Sequence, residues 1–294
     1  MLQTAFARLM LKGNSLLPIV QGGMGVGVSA HRLAGAVAKL GALGTISSVD
    51  LRRHHKDLMA QTGKSRDKEK IDAANLIALD REIKSARTIA DGKGMIAVNI
   101  MRAVAEYAAC VRQACDSGAD AVVVGAGLPL DLPELTVDHP QVALIPILSD
   151  ARGIALVLKK WMRKQRLPDA IVIENPRYAA GHLGAAGLDK LDDPHFAFST
   201  VLEETFELFK QLGIERENIP LITAGGVNSH AQVRNLLGLG ASAVQLGTAF
   251  AVTEEGDAHP NFKKVLAEAR AEDIVTFMSV AGLPARAVKT PWLG

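Results

Sequence analysis

Residues 222–250, ITAGGVNSHAQVRNLLGLGASAVQLGTAF, contain two short apolar runs, each stopped by a glycine turn. Leu221–Thr223 runs into Ala224-Gly225-Gly226, after which Asn228 or Ser229 marks the start of a helix. Ala243–Leu246 then runs into Gly247-Thr248. Backbone N–H groups freed by glycine and aimed with a helix N-terminus make an anion site. Either turn alone is a plain connection. Two of them on the last two strands of an alternating chain match the recurrent phosphate site of the (β/α)8 barrel.

Working toward the N-terminus, six more apolar runs precede these two: Pro18–Gln21, Ala42–Ile46, Met95–Asn99, Ala121–Val124, Val142–Leu148 and Ala170–Ile173. They are near-continuously apolar, as parallel strands covered on both faces must be. Amphipathic stretches lie between them at Ser29–Leu40, Asp72–Ala90, Val104–Ser117, Ala151–Lys164, Ser199–Leu212 and Ser229–Leu239. Alternation of this kind predicts parallel strands with crossover helices, and eight strands close a barrel. An open doubly wound sheet is the competitor, but it carries its phosphate glycines after the first strand. The expectation is therefore an α/β (β/α)8 TIM barrel, with residues 1–294 forming one domain.

Two interruptions stand out. Asp50–Lys70, including LRRHHKDLMAQTGKSRDKEK, is a charge-dense insertion after the second strand, read as a solvated loop or as a lid. The loop Glu174–Pro194 after the sixth strand is long, and long loops on that face are where barrels place chemistry.

At 294 residues with 48% hydrophobic and 22% charged positions, the chain has enough apolar material for one large core. A formal charge of +2 gives no reason to expect nucleic acid. Cys110 and Cys115 are five helical steps apart, about 140° around the helix, so they read as reduced thiols rather than a disulfide. The N-terminal stretch lacks a signal peptide's continuous apolar core, and no run reaches membrane-spanning length. A soluble, cytoplasmic protein is expected.

The first candidate strand ends in PIVQGGMGVGVS, Pro18–Ser29, where four glycines would let backbone approach a flat ligand and Gln21 offers a donor and an acceptor. That segment taken alone is equally a flexible connection. ENPRYAAGHLGAAG, Glu174–Gly187, places His182 between Gly181 and Gly184. An imidazole there is either a surface residue or, beside a phosphate site, a general base or hydrogen-bond donor. Asn99, Ser149 and Glu174 stand at strand ends, where they point polar groups into the mouth or cap helices. His31, His54, His55, His139, His195, His230 and His259 show no metal-ligand spacing, so no metal site is expected. No lysine occupies a strand end and neither cysteine follows the sixth strand, so a Schiff base or thiol nucleophile is unsupported. The chemistry points to a cofactor.

PIVQGGMG, the VNI of Val98–Ile100, VVVGAG of Val122–Gly127, AGHLG of Ala180–Gly184, ITAGGV and VQLGTAF together resemble the nitronate monooxygenase family, once called 2-nitropropane dioxygenases. Their superfamily includes FMN-dependent enoyl-acyl-carrier-protein reductases. The resemblance spans roughly residues 17 to 290 and is carried by the ordered set of motifs. It implies FMN at the barrel mouth, with its phosphate on Gly225, Gly226, Gly247 and Thr248. Gly22, Gly23 and Met24 would lie along the ring, with Asn99 and Gln245 as further contacts. Gln21, Gly125, Ser149, Glu174, Gly181, Gly184 and Ala224 complete the cofactor set, and His182 would be the catalytic base or substrate donor. The sequence departs from the family at Gly22-Gly23, where many members have Ala-Pro, and at Ala180, where many have glycine.

The resemblance implies an oxidoreductase that converts alkyl nitronates or nitroalkanes with O2 to carbonyl compounds and nitrite. The implied partners are these small molecules, with a homodimer as candidate assembly and neither nucleic acid nor membrane. The alternatives are an NAD(P)H-dependent enoyl-thioester reductase and a non-catalytic barrel that binds a phosphate ligand.

Overall fold

A computed structural model describes residues 2–179, 184–185, 187–279 and 284–293. A tight hairpin opens it: β1 (Leu9–Leu11) pairs antiparallel with β2 (Asn14–Leu16), Leu9 opposite Leu16. Its two-residue turn places Lys12 and Gly13 at φ of 48° and 78°, the left-handed pair that matches strand twist. The barrel follows: β3 (Ile19–Gln21), α1 (His31–Lys39), β4 (Leu43–Ser47), α2 (Lys56–Thr62), α3 (Lys68–Ala90), β5 (Met95–Met101) and α4 (Tyr107–Asp116). It continues through β6 (Ala121–Gly125), α5 (Leu132–Leu135), β7 (Ala143–Leu148), α6 (Ala151–Met162), β8 (Ile171–Glu174), α7 (Phe198–Leu212), β9 (Leu221–Ala224), α8 (His230–Gly238) and β10 (Ala243–Leu246). After α9 (Thr248–Ala251) and α10 (Pro260–Glu268), the chain forms a second antiparallel hairpin, β11 (Ile274–Met278) with β12 (Pro284–Val288).

Strands β3 to β10 close into an eight-stranded barrel with every pair parallel, β10 returning to β3 through Val244↔Ile19, Gln245↔Val20 and Leu246↔Gln21. The eight expected strands are all present, each bound within two residues of its expected position. Side chains alternate across the barrel wall. Val20, Leu43, Met95, Ala97, Ala121, Val123, Ala143, Ile145, Val172, Ile222 and Ala243 fill the interior, and Leu9, Leu11 and Leu16 of the hairpin join them to plug the lower end. Ile46, Ile96, Val98, Val122, Val124, Leu144, Ile171, Ile173 and Leu221 face outward onto the helices, with Trp161 and Phe209 fully buried between.

The seam between β3 and β4 has a single residue pair, Val20↔Leu43. The Gln21 side chain completes it, accepting from the Thr45 N–H at 2.8 Å and donating to the Thr45 carbonyl at 3.0 Å.

The insertion differs from the solvated loop expected for residues 50–70. It folds as a 3₁₀ turn over Leu51–His54 followed by α2, with Leu51, Arg52, Leu58 and Thr62 buried. The following helix starts at Lys68 instead of Asp72, because Asp67 caps it by accepting from the Lys70 N–H. Cys110 and Cys115, both on α4, are buried and free, and burial pushes their thiols up to about 12 and about 11. No helix among the described residues is long and apolar enough to cross a membrane.

Candidate active site

Strand parity decides which side chains reach the C-terminal mouth of the barrel. Inward positions at that level are Gly22 after β3, Thr45 and Ser47 on β4, Asn99 on β5, Gly125 on β6 and Ser149 after β7. Glu174 on β8, Ala224 on β9, and Gln245 with the following Gly247 on β10 complete the ring. The register sets Glu174 beside Ala224 and Ala224 beside Gln245.

Most of the residues named from the sequence therefore meet at one place. A Cβ on Gly22 would stand 3.1 Å from the Gln245 side chain, and one on Gly23 would stand 2.3 Å from the Asn99 Cβ. One on Gly247 would stand 3.5 Å from the Met24 sulfur, so the first and last barrel loops are in contact. The loop from Gly22 to Ser29 is closed on itself, the Met24 N–H donating to the Ser29 Oγ at 2.8 Å and the Ser29 N–H to the Met24 carbonyl at 3.0 Å.

Gly225 and Gly226 hold φ of 104° and 72°, left-handed values that side chains rarely adopt. The turn they make opens at the mouth beside the Gly247-Thr248 turn, since β9 and β10 are paired through Ala224 and Gln245. None of the N–H groups of Gly225, Gly226, Gly247 or Thr248 donates to a loop or side-chain acceptor among the described residues. Ser229 caps α8, accepting from the Gln232 N–H.

Elsewhere around the mouth, on β4 and after β7, the buried hydroxyls of Thr45 and Ser149 have no hydrogen-bond partner among the described residues. Gly184, at φ 83°, approaches Ser149 so closely that a Cβ would lie 2.3 Å from its Oγ. The long loop after β8 thus reaches back over β7. Glu174, the last residue of β8, is partly buried, and burial pushes its carboxyl up to about 7 from the ordinary 4.5.

Gln21 is placed differently from the rest. It is fully buried with its amide committed to Thr45, so the side chain belongs to the wall and the mouth begins at Gly22. Gly181 and His182 lie outside the described residues. Three contributors were not singled out from the sequence. Thr45 reads there as an ordinary strand residue, and Ser47 falls just past the expected strand end at Ile46. Tyr178 lies against the glycine turn, its ring 2.8 Å from where a Gly226 Cβ would be. Only the strand parity available after the barrel is closed identifies the first two, and nothing in the local sequence marks the third.

Such a mouth can hold a phosphorylated, largely flat ligand. Its free backbone donors suit an oxyanion, the glycines at 22 and 23 leave a floor without side chains, and the unpaired hydroxyls suit polyol oxygens.

A protein of Bacillus subtilis (strain 168) named probable nitronate monooxygenase is 28% identical over 285 residues, covering 94% of this chain and 77% of that protein. Among solved structures, FabK from Thermotoga maritima superposes with a TM-score of 0.66 at 24% identity, over 94% of this chain and 72% of that one. The nitroalkane oxidase of Streptomyces ansochromogenes superposes with a TM-score of 0.68 at 22% identity, over 94% and 78% of the two chains. At these identities the structural likeness is one of fold. The family model for nitronate monooxygenase, in contrast, follows this sequence from residue 9 to residue 294, and the chain belongs to that family of oxidoreductases.

Proposed function

We propose that this enzyme binds FMN at the barrel mouth and oxidises alkyl nitronates with O2, releasing a carbonyl compound and nitrite. The observation that carries the reading is the pairing of two glycine turns on adjacent strands β9 and β10, in a mouth whose buried Thr45 and Ser149 hydroxyls have no partner among the described residues. Gly225, Gly226, Gly247 and Thr248 would hold the phosphate by backbone N–H groups, a mode that needs no basic side chain. Gly22, Gly23 and Met24 would lie along the ring system, with Asn99, Gln245, Gly125 and Ala224 around its edge. Ser149 and Thr45 would satisfy ribityl hydroxyls, and Gly181 and Gly184 would bring the loop after β8 over the site. When bound, the flavin supplies the electron acceptor for the nitronate and the route of electrons to dioxygen.

The family resemblance gives His182 the role of base or of donor to the substrate. As a neutral imidazole it would take the α-proton of a nitroalkane and so form the nitronate in place. His182→Ala is expected to lower turnover of a nitroalkane about 10²–10⁴-fold while leaving the flavin bound. Loss of turnover and flavin together would make the residue structural instead.

The reading is tested by mixing purified protein with propyl nitronate in air, without nicotinamide, and following nitrite release and O2 uptake together. Both are expected to rise with enzyme concentration. Nitrite-free protein that consumes NADPH in the presence of an enoyl thioester would replace this reading with that of a reductase.

A further inference from the structure

Of the inward strand-end side chains that form the ring at the mouth, one among the described residues, Glu174, is ionisable; the phenol of Tyr178, on the loop after β8, lies against the Gly226 turn. Val172 lies in the interior cluster while Ile171 and Ile173 lie in the outer one, so parity turns Glu174 inward. Around it at the same level stand Gly22, Thr45, Ser47, Asn99, Gly125, Ser149, Ala224 and Gln245, none of which carries a charge. On the elements flanking β8 the ionisable groups are engaged elsewhere. Asp150 caps α6 by accepting from the Gly153 N–H, and His195 is held by Asp193 at 2.6 Å. No cation among the described residues forms an ion pair with Glu174.

A carboxyl in this setting has two faces. Protonated, it is a neutral donor that can serve an anion; ionised, it is an uncompensated negative charge in a narrow opening. Burial pushes it up to about 7, so both forms are populated near neutrality. An alkyl nitronate is itself an anion, with its charge on the two nitro oxygens.

Resting on the nitronate reading above, we propose that Glu174 is the binding residue that admits the nitronate, donating a hydrogen bond to its oxygens as a neutral acid and taking up a proton when the anion enters. The ionised form turns the anion away. Binding and protonation are then linked, and each favours the other.

The test compares wild type with Glu174→Gln, which keeps a donor but cannot ionise, in two measurements over a pH series. The first needs no ligand. The native carboxyl binds its proton more tightly than the unfolded chain does, so wild type loses stability as pH rises from about 4.5 through about 7. Across that span the melting temperature of the variant should move above that of wild type, with no gap below it. The second is the anaerobic rate of flavin bleaching against propyl nitronate concentration, whose half-saturation reads the affinity. Wild-type affinity should fall about tenfold per pH unit above pH 7, and the variant should be level.

A melting-temperature gap independent of pH, or a wild-type affinity as level as the variant's, overturns the proposal. If nitronate leaves the wild-type flavin unchanged at every pH, the nitronate reading falls, and with it the assignment of Glu174 to that anion. A pH-dependent stability gap would then still establish the lone carboxyl as a proton-holding group of the mouth.

Discussion

The Gln21 amide makes, with the N–H and carbonyl of Thr45, the two bonds that another residue of paired strand would have made. It is needed because β3 and β4 share one residue pair before the glycine loop leaves the sheet. Replacing it by leucine keeps the volume and leaves both Thr45 groups buried without partners. Gln21→Leu should therefore cost about 2–5 kcal/mol in urea unfolding, far more than a surface change. A loss below about 0.5 kcal/mol would show that the seam does not depend on this side chain. Gly23 poses the opposite problem, since any Cβ there must displace Asn99 from 2.3 Å away. Gly23→Ala is expected to destabilise by about 1–3 kcal/mol and to release on gel filtration the flavin that wild type should retain. Retention of flavin by a folded variant would move the ring away from this floor.

Among the elements, the insertion is the most instructive, because its charge pattern concealed a folded segment. His31 at the start of α1 bonds Glu82 of α3 at 2.7 Å, and His55, just before α2, stands 3.0 Å from the other oxygen of the same carboxylate. Glu82 is 1% exposed. The hydrogen bond to Glu82 holds the His31 imidazole above its usual 6.5. The Glu82 carboxyl is held below its usual 4.5, where the bonds and charge of His31 outweigh the opposing effect of its own burial. Stability from the raised histidine is present below its ordinary value and fades as pH rises through the higher native one. Stability from the depressed carboxyl is present above its ordinary value and fades as pH falls through the lower native one. Glu82→Gln should therefore cost most between pH 4.5 and 6.5 and progressively less above, read as the difference in melting temperature from wild type. A difference that grows toward alkaline pH would contradict the ion pair. None of this was readable in LRRHHKDLMAQTGKSRDKEK, where Leu51, Leu58 and Met59 are the only large apolar residues and the partner carboxylate lies in the next helix. The hairpins β1–β2 and β11–β12 were missed for a related reason: strands of three to five residues carry too few positions to show a period.

At the scale of the whole molecule, legibility follows from how local each signal is. Barrel strands are continuous apolar runs ended by glycine or polar residues, so β3 to β10 could be placed from the sequence alone. The two glycine turns after β9 and β10 were equally visible. What the sequence hides is juxtaposition: that Gly23 rests on Asn99, Gly184 on Ser149 and Gly247 on Met24, and that Glu174 is the one ionisable side chain among the inward strand ends described at the mouth. These depend on closure of the barrel, which turns strand parity into a ring of side chains. A flavin held in that ring should be reducible by nitronate, which is tested by recording the visible spectrum of the purified protein, adding propyl nitronate without oxygen, and then admitting air. The expected result is a flavin spectrum that bleaches with nitronate and recovers in air. Protein that neither carries nor takes up flavin, or a flavin indifferent to nitronate but bleached by NADPH, would contradict it.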